Sequence, residues 1–475
     1  MTEDPRAVPA PLPSDESPAA ASGPRSIEHW RERVATEFDS VRRDLEALVR
    51  IPSISNPAFD QAAVRATADA VAALLVGVGL PEVEVLTAAG ADGRPGAPAV
   101  VARRPAAPGR PTVVLYAHHD VQPTGDPAAW DTSPFEPTER AGRLYGRGAA
   151  DDKAGIVAHV GALRVLGDEL GIGVTVFVEG EEEIGSPTFS SFLHTYRDKL
   201  AGDVFVVADS ANWRVGVPAL TTSLRGLVDA EVEVAVLSHA VHSGFFGGPV
   251  LDALTVLARL IATLHDDVGD VAVEGLVVGP DPAVDYDEAD LRADAAILDG
   301  VRLAGSGSLT ARLWTRPALS VIGIDATSVA EASNTLAPRA TAKLSLRIAP
   351  GQDPALAMDA LRRHLESHAP FGAQVTVRDG EAGKPYQAPA DSVAMRAARA
   401  AFSGAWGVPP VDIGVGGSIP FIADLVDLFP HAAVLVTGVE DPDSRAHGAN
   451  ESVHLGELEK VVLAEVLLLV GLAAG

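Results

Sequence analysis

Apolar and polar positions follow three textures along the chain. Ser26 precedes Ile27-Glu28-His29-Trp30, and Phe38, Val41, Leu45 and Leu48 recur at helical spacing, which predicts a helix that Asn56-Pro57 breaks. A second helix is predicted from Gln61 to Val78. Short Val-rich runs at Val83–Leu86, Ala99–Ala102, Thr112–Tyr116, Gly173–Val178 and Asp203–Ala208 then read as strands, separated by helices such as Ala154–Leu166 and one near Thr188–His194. Strand and helix in alternation predict a layered α/β sheet that gathers ligands at its strand ends. Near residue 220 the texture changes. Val228–Val234 alternates apolar and charged, as a sheet wet on one face does, and a helix Val250–Leu264 follows. Leu344–Ile348 alternates again, before a helix Pro354–Leu365 and a strand Gln374–Arg378. That order predicts a ferredoxin-like α+β domain over 220–382, inserted in a discontinuous layered domain of 26–219 and 383–475. The layered texture resumes with a helix Asp391–Phe402, a strand Ala433–Thr437 and a closing helix. Residues 265–320 show little beyond a helix around Glu288–Leu298, and the Pro-, Ala- and Ser-rich residues 1–25 read as a disordered leader.

A chain of 475 residues with 47% apolar content is expected to form two or three domains. The formal net charge of −27 argues against nucleic acid or an anionic membrane as partner. With no cysteine, any metal must rest on histidines and carboxylates, and nothing points to an oxidising compartment, so the expected location is cytoplasmic. The apolar stretch Val461–Val470 is too short to span a bilayer and carries Glu465.

Chemistry-bearing residues collect where predicted strands end. Side chains alternate along Thr112–Tyr116 and beyond, so His118 and Asp120 share a face and His119 points to the other. Asp151-Asp152-Lys153 follows the turn Gly146-Arg147-Gly148, the acidic run Glu179–Glu183 follows Gly173–Val178, and Asp209 ends Val204–Val207. Alone, each reads equally as a polar loop, a solvated turn or a surface acidic run. Together they converge like charges that repel unless a cation neutralises them.

The segments Ala117–Pro123, Leu144–Lys153 and Glu179–Ser186 resemble the metallopeptidase M20 family of carnosinase-like dipeptidases, carboxypeptidase G-type enzymes, aminoacylases and deacylases. So do Ala240–Gly244, Ser333–Thr335, Gly416–Pro420 and His447–Glu451, in consistent order over residues 27–475, with the dipeptidase branch the most similar. The resemblance implies a zinc-exopeptidase-type catalytic domain with an inserted lid and dimerisation domain. It implies two divalent cations, Zn²⁺ with Mn²⁺ or Co²⁺ as alternatives. Asp151 would bridge them, His118 and Asp209 completing one shell, Glu183 and His447 the other. Glu182 takes the general-base place, and Asp120 that of a carboxylate orienting His118. The peptide bond after the bridging Asp is often cis in this family. His242 would donate to the scissile carbonyl and, in a homodimer, reach the partner's site. Asn334, Arg347, Gly417 and Ser418 would hold the carboxylate of a small peptide substrate, although Arg347, in an alternating strand, reads equally as solvent-facing. His119 reads as a core histidine, Lys153 and Arg147 as local counter-charges, and His239 has no assigned role. Two departures stand out: Gly414-Val415 occupy the place of an Arg-Glu pair, and Ala117 replaces the usual Gly. The first leaves an N-acyl-amino-acid amidohydrolase as the alternative to a dipeptidase. A silent peptide-binding homologue and a two-metal phosphoesterase fit less well.

Overall fold

The structure is a computed structural model and describes residues 25–90, 93–417 and 420–474. The expected leader, but for Arg25, and Ser418 therefore lie outside the described residues. The chain divides into two compact units. One comprises residues up to Thr222, Ala388–Ile413 and the chain from Asp424 onward; the other comprises Ser223–Gln387 and Gly414–Ala423.

The first unit opens with helix α1 (Ile27–Val49), capped by the Ser26 hydroxyl, which accepts from the His29 amide. Trp30, Val34, Val41, Leu45 and Leu48 form its buried stripe. It ends well before Asn56-Pro57, just short of Pro52, since the residue before a proline resists helical geometry. Helix α2 (Gln61–Gly77) leads to strands β1 (Glu82–Leu86), β2 (Ala99–Arg104) and β3 (Thr112–His118). Helix α3 (Lys153–Leu166) joins these to β4 (Gly173–Glu179), β5 (Val204–Val207) and β6 (Ala219–Leu224).

In the second unit, β7 (Gly226–Ala235), helix α4 (Ala253–Ile261), β8 (Ala318–Asp325), β9 (Arg339–Ile348), helix α5 (Pro354–Ser367) and β10 (Gln374–Gly383) give the order β-α-β-β-α-β. The antiparallel sheet runs β8-β9-β7-β10, the ferredoxin-like arrangement. Val228, Ala230, Val232 and Val234 line its buried face with Leu257, Leu260, Leu361 and Leu365. The other face carries charged pairs such as Arg378–Glu231 at 2.9 Å. Helix α4 starts at Ala253 rather than Val250 because Asp252 caps it, accepting from the Thr255 amide at 2.9 Å. The helix expected to reach Leu298 stops at Asp294, and a short helix, Leu309–Trp314, precedes β8.

Back in the first unit, helix α6 (Val393–Trp406), strand β11 (Ala433–Val436) and helix α7 (Leu455–Ala474) complete the layers. The sheet order is β1-β2-β4-β3-β5-β11-β6, with β4, β3, β5 and β11 parallel to one another. Every residue of β4 is buried, as expected of a parallel strand covered on both faces. Helix α7 is apolar nearly all round and packs on α1, α3 and α6. A small sheet joins Thr138–Arg140, Arg143–Tyr145 and Ser452–His454, bringing two distant stretches side by side. No described helix is long and apolar enough to cross a membrane.

Candidate metal centre

Parallel strands point their carboxyl ends the same way, so whatever follows β3, β4 and β5 meets at one edge of the sheet. His118 closes β3 in register with Glu179 at the end of β4. Asp209 follows β5, while Asp151 precedes α3 behind a cis peptide bond to Asp152. The ligand atoms of His118, Asp151 and Asp209 lie within 4.8 Å of one another, and so do those of Asp151, Glu183 and His447. Asp151 divides its carboxylate between the groups. Its Oδ1 lies 3.0 Å from His118 Nε2 and its Oδ2 3.0 Å from His447 Nε2. His447 Nε2 is also 3.1 Å from Glu183 Oε2.

The support around these groups is specific. Asp120, fully buried, accepts from the amides of Glu182 at 3.2 Å and Glu183 at 3.0 Å. Its carboxylate stands 3.4 Å from His118 Nδ1, while its own carbonyl is closer, at 3.1 Å. Both the Asp120 carbonyl and its carboxylate thus face His118 Nδ1, and the carboxylate also fixes the acidic turn. Gln122 holds Glu183, donating from its amide at 3.0 Å to one carboxylate oxygen and from its side chain at 2.8 Å to the other. His119 is buried on the opposite face, where Nε2 pairs with the Pro98 carbonyl at 2.8 Å.

The electrostatics are those of a cation site. Burial lifts the Glu182 carboxyl to about 8, with Asp209 and Glu183 adding to the shift and His118 opposing it. Burial likewise lifts Asp209 to about 6. The hydrogen bonds to Asp151 and then Glu183 raise His447 to about 11. Burial opposes ionisation of Asp151, but its bonds to His118 and His447 prevail and depress it. Carboxylates and imidazoles without thiolate suit Zn²⁺ and similar borderline cations, and the shared carboxylate matches a pair of them.

In the second unit, Val241–His242 pairs antiparallel with Thr335–Leu336, and the Ser243 amide donates to the Asn334 carbonyl at 2.9 Å. His242 and Asn334 are thereby neighbours. His242 is exposed, and its Nδ1 accepts from the Gly244 amide at 3.0 Å. Arg347 lies half-buried on β9. Near it is Arg225, whose pKa burial and then the Arg347 charge bring down to about 10, and whose Nε donates to the Gly416 carbonyl at 3.0 Å. Gly417 directly follows that anchored carbonyl.

The sequence of the family described as peptidase family M20/M25/M40 matches residues 114–470. The chain belongs to this family. This M20 peptidase is 36% identical over 365 residues to the cysteinylglycine-S-conjugate dipeptidase of Corynebacterium striatum, an alignment spanning 75% of this chain and 80% of that one. It is 29% identical over 378 residues to the human Beta-Ala-His dipeptidase, covering 75% and 74% of the two. Its fold matches the crystal structure of human carnosine dipeptidase 1 with a TM-score of 0.74 at 24% identity, over 95% of this chain and 100% of the other.

Several residues of the M20 centre escaped the sequence. Gln122, Glu440 and Glu451 were given no role there, Arg147 only that of a local counter-charge, and Arg225 in the second unit none. Glu440 follows the parallel strand β11, and burial together with the charges of Asp151 and Asp209 lifts its carboxyl well above the usual range. The strand-end rule that singled out Asp209 would have found it.

Proposed function

We propose that this M20 peptidase hydrolyses the amide bond of dipeptides or short peptides, with Glu182 as the general base. The observation that carries this reading is the division of the Asp151 carboxylate between two ligand groups, His118 with Asp209 and Glu183 with His447. Two divalent cations held there, Zn²⁺ first and Mn²⁺ or Co²⁺ as alternatives, would polarise the scissile carbonyl and acidify a water. Glu182 takes the proton of the attacking water and returns it to the leaving amine. An elevated pKa suits both steps. Asp120 keeps Glu182 aimed through its amide. In this reading the first unit is catalytic and the second is a lid and dimerisation domain. His242 donates to the carbonyl oxygen as negative charge develops there. Arg347 grips the substrate carboxylate with Asn334, Gly417 and Ser418.

The similarity to a cysteinylglycine-S-conjugate dipeptidase supports a dipeptide substrate. Gly414-Val415 support the second reading, an N-acyl-amino-acid amidohydrolase, because neither residue offers a charge to a substrate amine. A panel of dipeptides and N-acyl-amino acids, assayed with metal-reconstituted protein, decides between them. Dipeptides should turn over faster; turnover of N-acyl-amino acids alone would replace the first reading with the second. Glu182→Gln should lower kcat by about 10²–10⁴-fold with metal content unchanged, and full activity would remove Glu182 from its role.

A homodimer through the second unit belongs to the same proposal. Edge strand β8 supports it by exposing Val321, Ile322 and Ile324. A cytoplasmic location, which the acidic, cysteine-free composition suits, also belongs to the proposal. Recovery of the native protein in a membrane or secreted fraction would overturn that location.

A further inference from the structure

Arg147 and Glu451 form an ion pair that is almost wholly buried, Arg147 being 1% and Glu451 0% exposed. A buried pair needs its remaining donors and acceptors matched, and here all but Arg147 Nε are, chiefly by the two ligand loops. Glu451 accepts from Arg147 Nη1 and the Gly148 amide on one oxygen, and from the amides of Ala150 at 3.0 Å and Asp151 at 3.1 Å on the other. Arg147 Nη2 donates to the carbonyls of His447 at 3.0 Å and Gly448 at 3.2 Å, with a longer bond to Pro123. One half of the pair therefore holds the backbone of Asp151 and the other half the backbone of His447.

His447 needs such a hold. Its side chain is 58% exposed, so packing does little to fix the ring. Its φ of 62° lies in the left-handed region that favours glycine, a conformation kept only when its surroundings impose it. The two carbonyl bonds from Arg147 hold this stretch of backbone. Neither Arg147 nor Glu451 belongs to a ligand group, so both act through other residues.

We infer that Arg147 and Glu451 are positioning residues that set the spacing of Asp151 and His447, Arg147 tuning the affinity of the cation on Glu183 and His447 alone. This rests on the two-cation reading above. Glu451 reaches the backbone of the shared Asp151, so its loss affects both cations, whereas the carbonyl bonds of Arg147 fall on the His447 loop.

The test is a Co²⁺ titration of chelator-stripped full-length protein followed by visible absorption, with His447→Ala marking the phase that belongs to His447. Arg147→Lys keeps the charge opposite Glu451 but cannot reach both carbonyls. It should weaken the His447 phase by about 10–100-fold and leave the other phase unchanged. Glu451→Gln should weaken both phases. Apo-protein unfolding midpoints are measured alongside, and Arg147→Lys should stay near wild type. Unchanged phases in Arg147→Lys, or equal weakening of both, would overturn the inference. A single phase in the wild-type protein would instead overturn the two-cation reading and this inference together.

Discussion

His119 shows how a residue beside the ligand candidates bears on stability. Burial pushes its imidazole down to about 4, against the charge of Asp120. Folding therefore excludes a proton that the unfolded chain binds below about pH 6.5. The stability this neutral ring contributes is present in full above that pH and is lost as pH falls towards 4. The loss amounts to about 3 kcal/mol. His119→Gln retains a donor for the Pro98 carbonyl and should flatten this part of the profile, measured by urea unfolding of apo-protein between pH 7 and 4. An unchanged slope would show that other groups carry the acid sensitivity. Three ligand candidates were legible in the sequence because apolar strands stop at or just before them: His118 and Asp209 end Val-rich runs, and Glu183 sits in the turn after one, whereas Asp151 follows a Gly-Arg-Gly turn and His447 came from the family resemblance. Gln122 and Glu451 were not, since each acts on a partner far along the chain and leaves no local pattern. Arg147, read as a local counter-charge, in fact reaches the carbonyl of His447, 300 residues away in sequence.

Among the elements, those with a sustained period were readable, and α1 is the clearest case. Leu45 is fully buried in its stripe. Leu45→Ala should destabilise the protein by about 2–5 kcal/mol, read as a lower urea midpoint with unchanged m-value. The end of α1 was misplaced because Pro52 acts before Asn56-Pro57 does. The small sheet of Thr138–Arg140, Arg143–Tyr145 and Ser452–His454 escaped because strands of three residues are too short to show alternation. Yet this sheet lays Glu451 beside Gly146, whose amide donates to the Glu451 carbonyl at 2.9 Å. Strand β8 escaped for a different reason. It is an edge strand, and Val321, Ile322 and Ile324 are all exposed, so alternation against one buried face does not apply to it.

At the scale of the whole molecule, that same edge makes the homodimer testable. The three residues are 42%, 55% and 49% exposed, more than an isolated edge strand usually tolerates without charge or covering. Ile324→Lys should shift the protein from dimer to monomer in sedimentation, with metal content unchanged. A dimer that withstands the substitution would place the interface elsewhere. The change of texture near residue 220 and its return near 385 fall close to Thr222 and Gln387, where the units part, because each sheet style has its own apolar period, whereas Gly414–Ala423, expected in the first domain, lie in the second unit. The clamp of Asp151 by Glu451 has one more consequence. It joins positions 300 residues apart in sequence, across the whole inserted unit. During synthesis the nascent chain holds Asp151, Glu182 and Asp209 long before His447 and Glu451 leave the ribosome. On the proposed two-cation reading, the growing polypeptide stays unable to cut peptides until helix α7 begins to emerge.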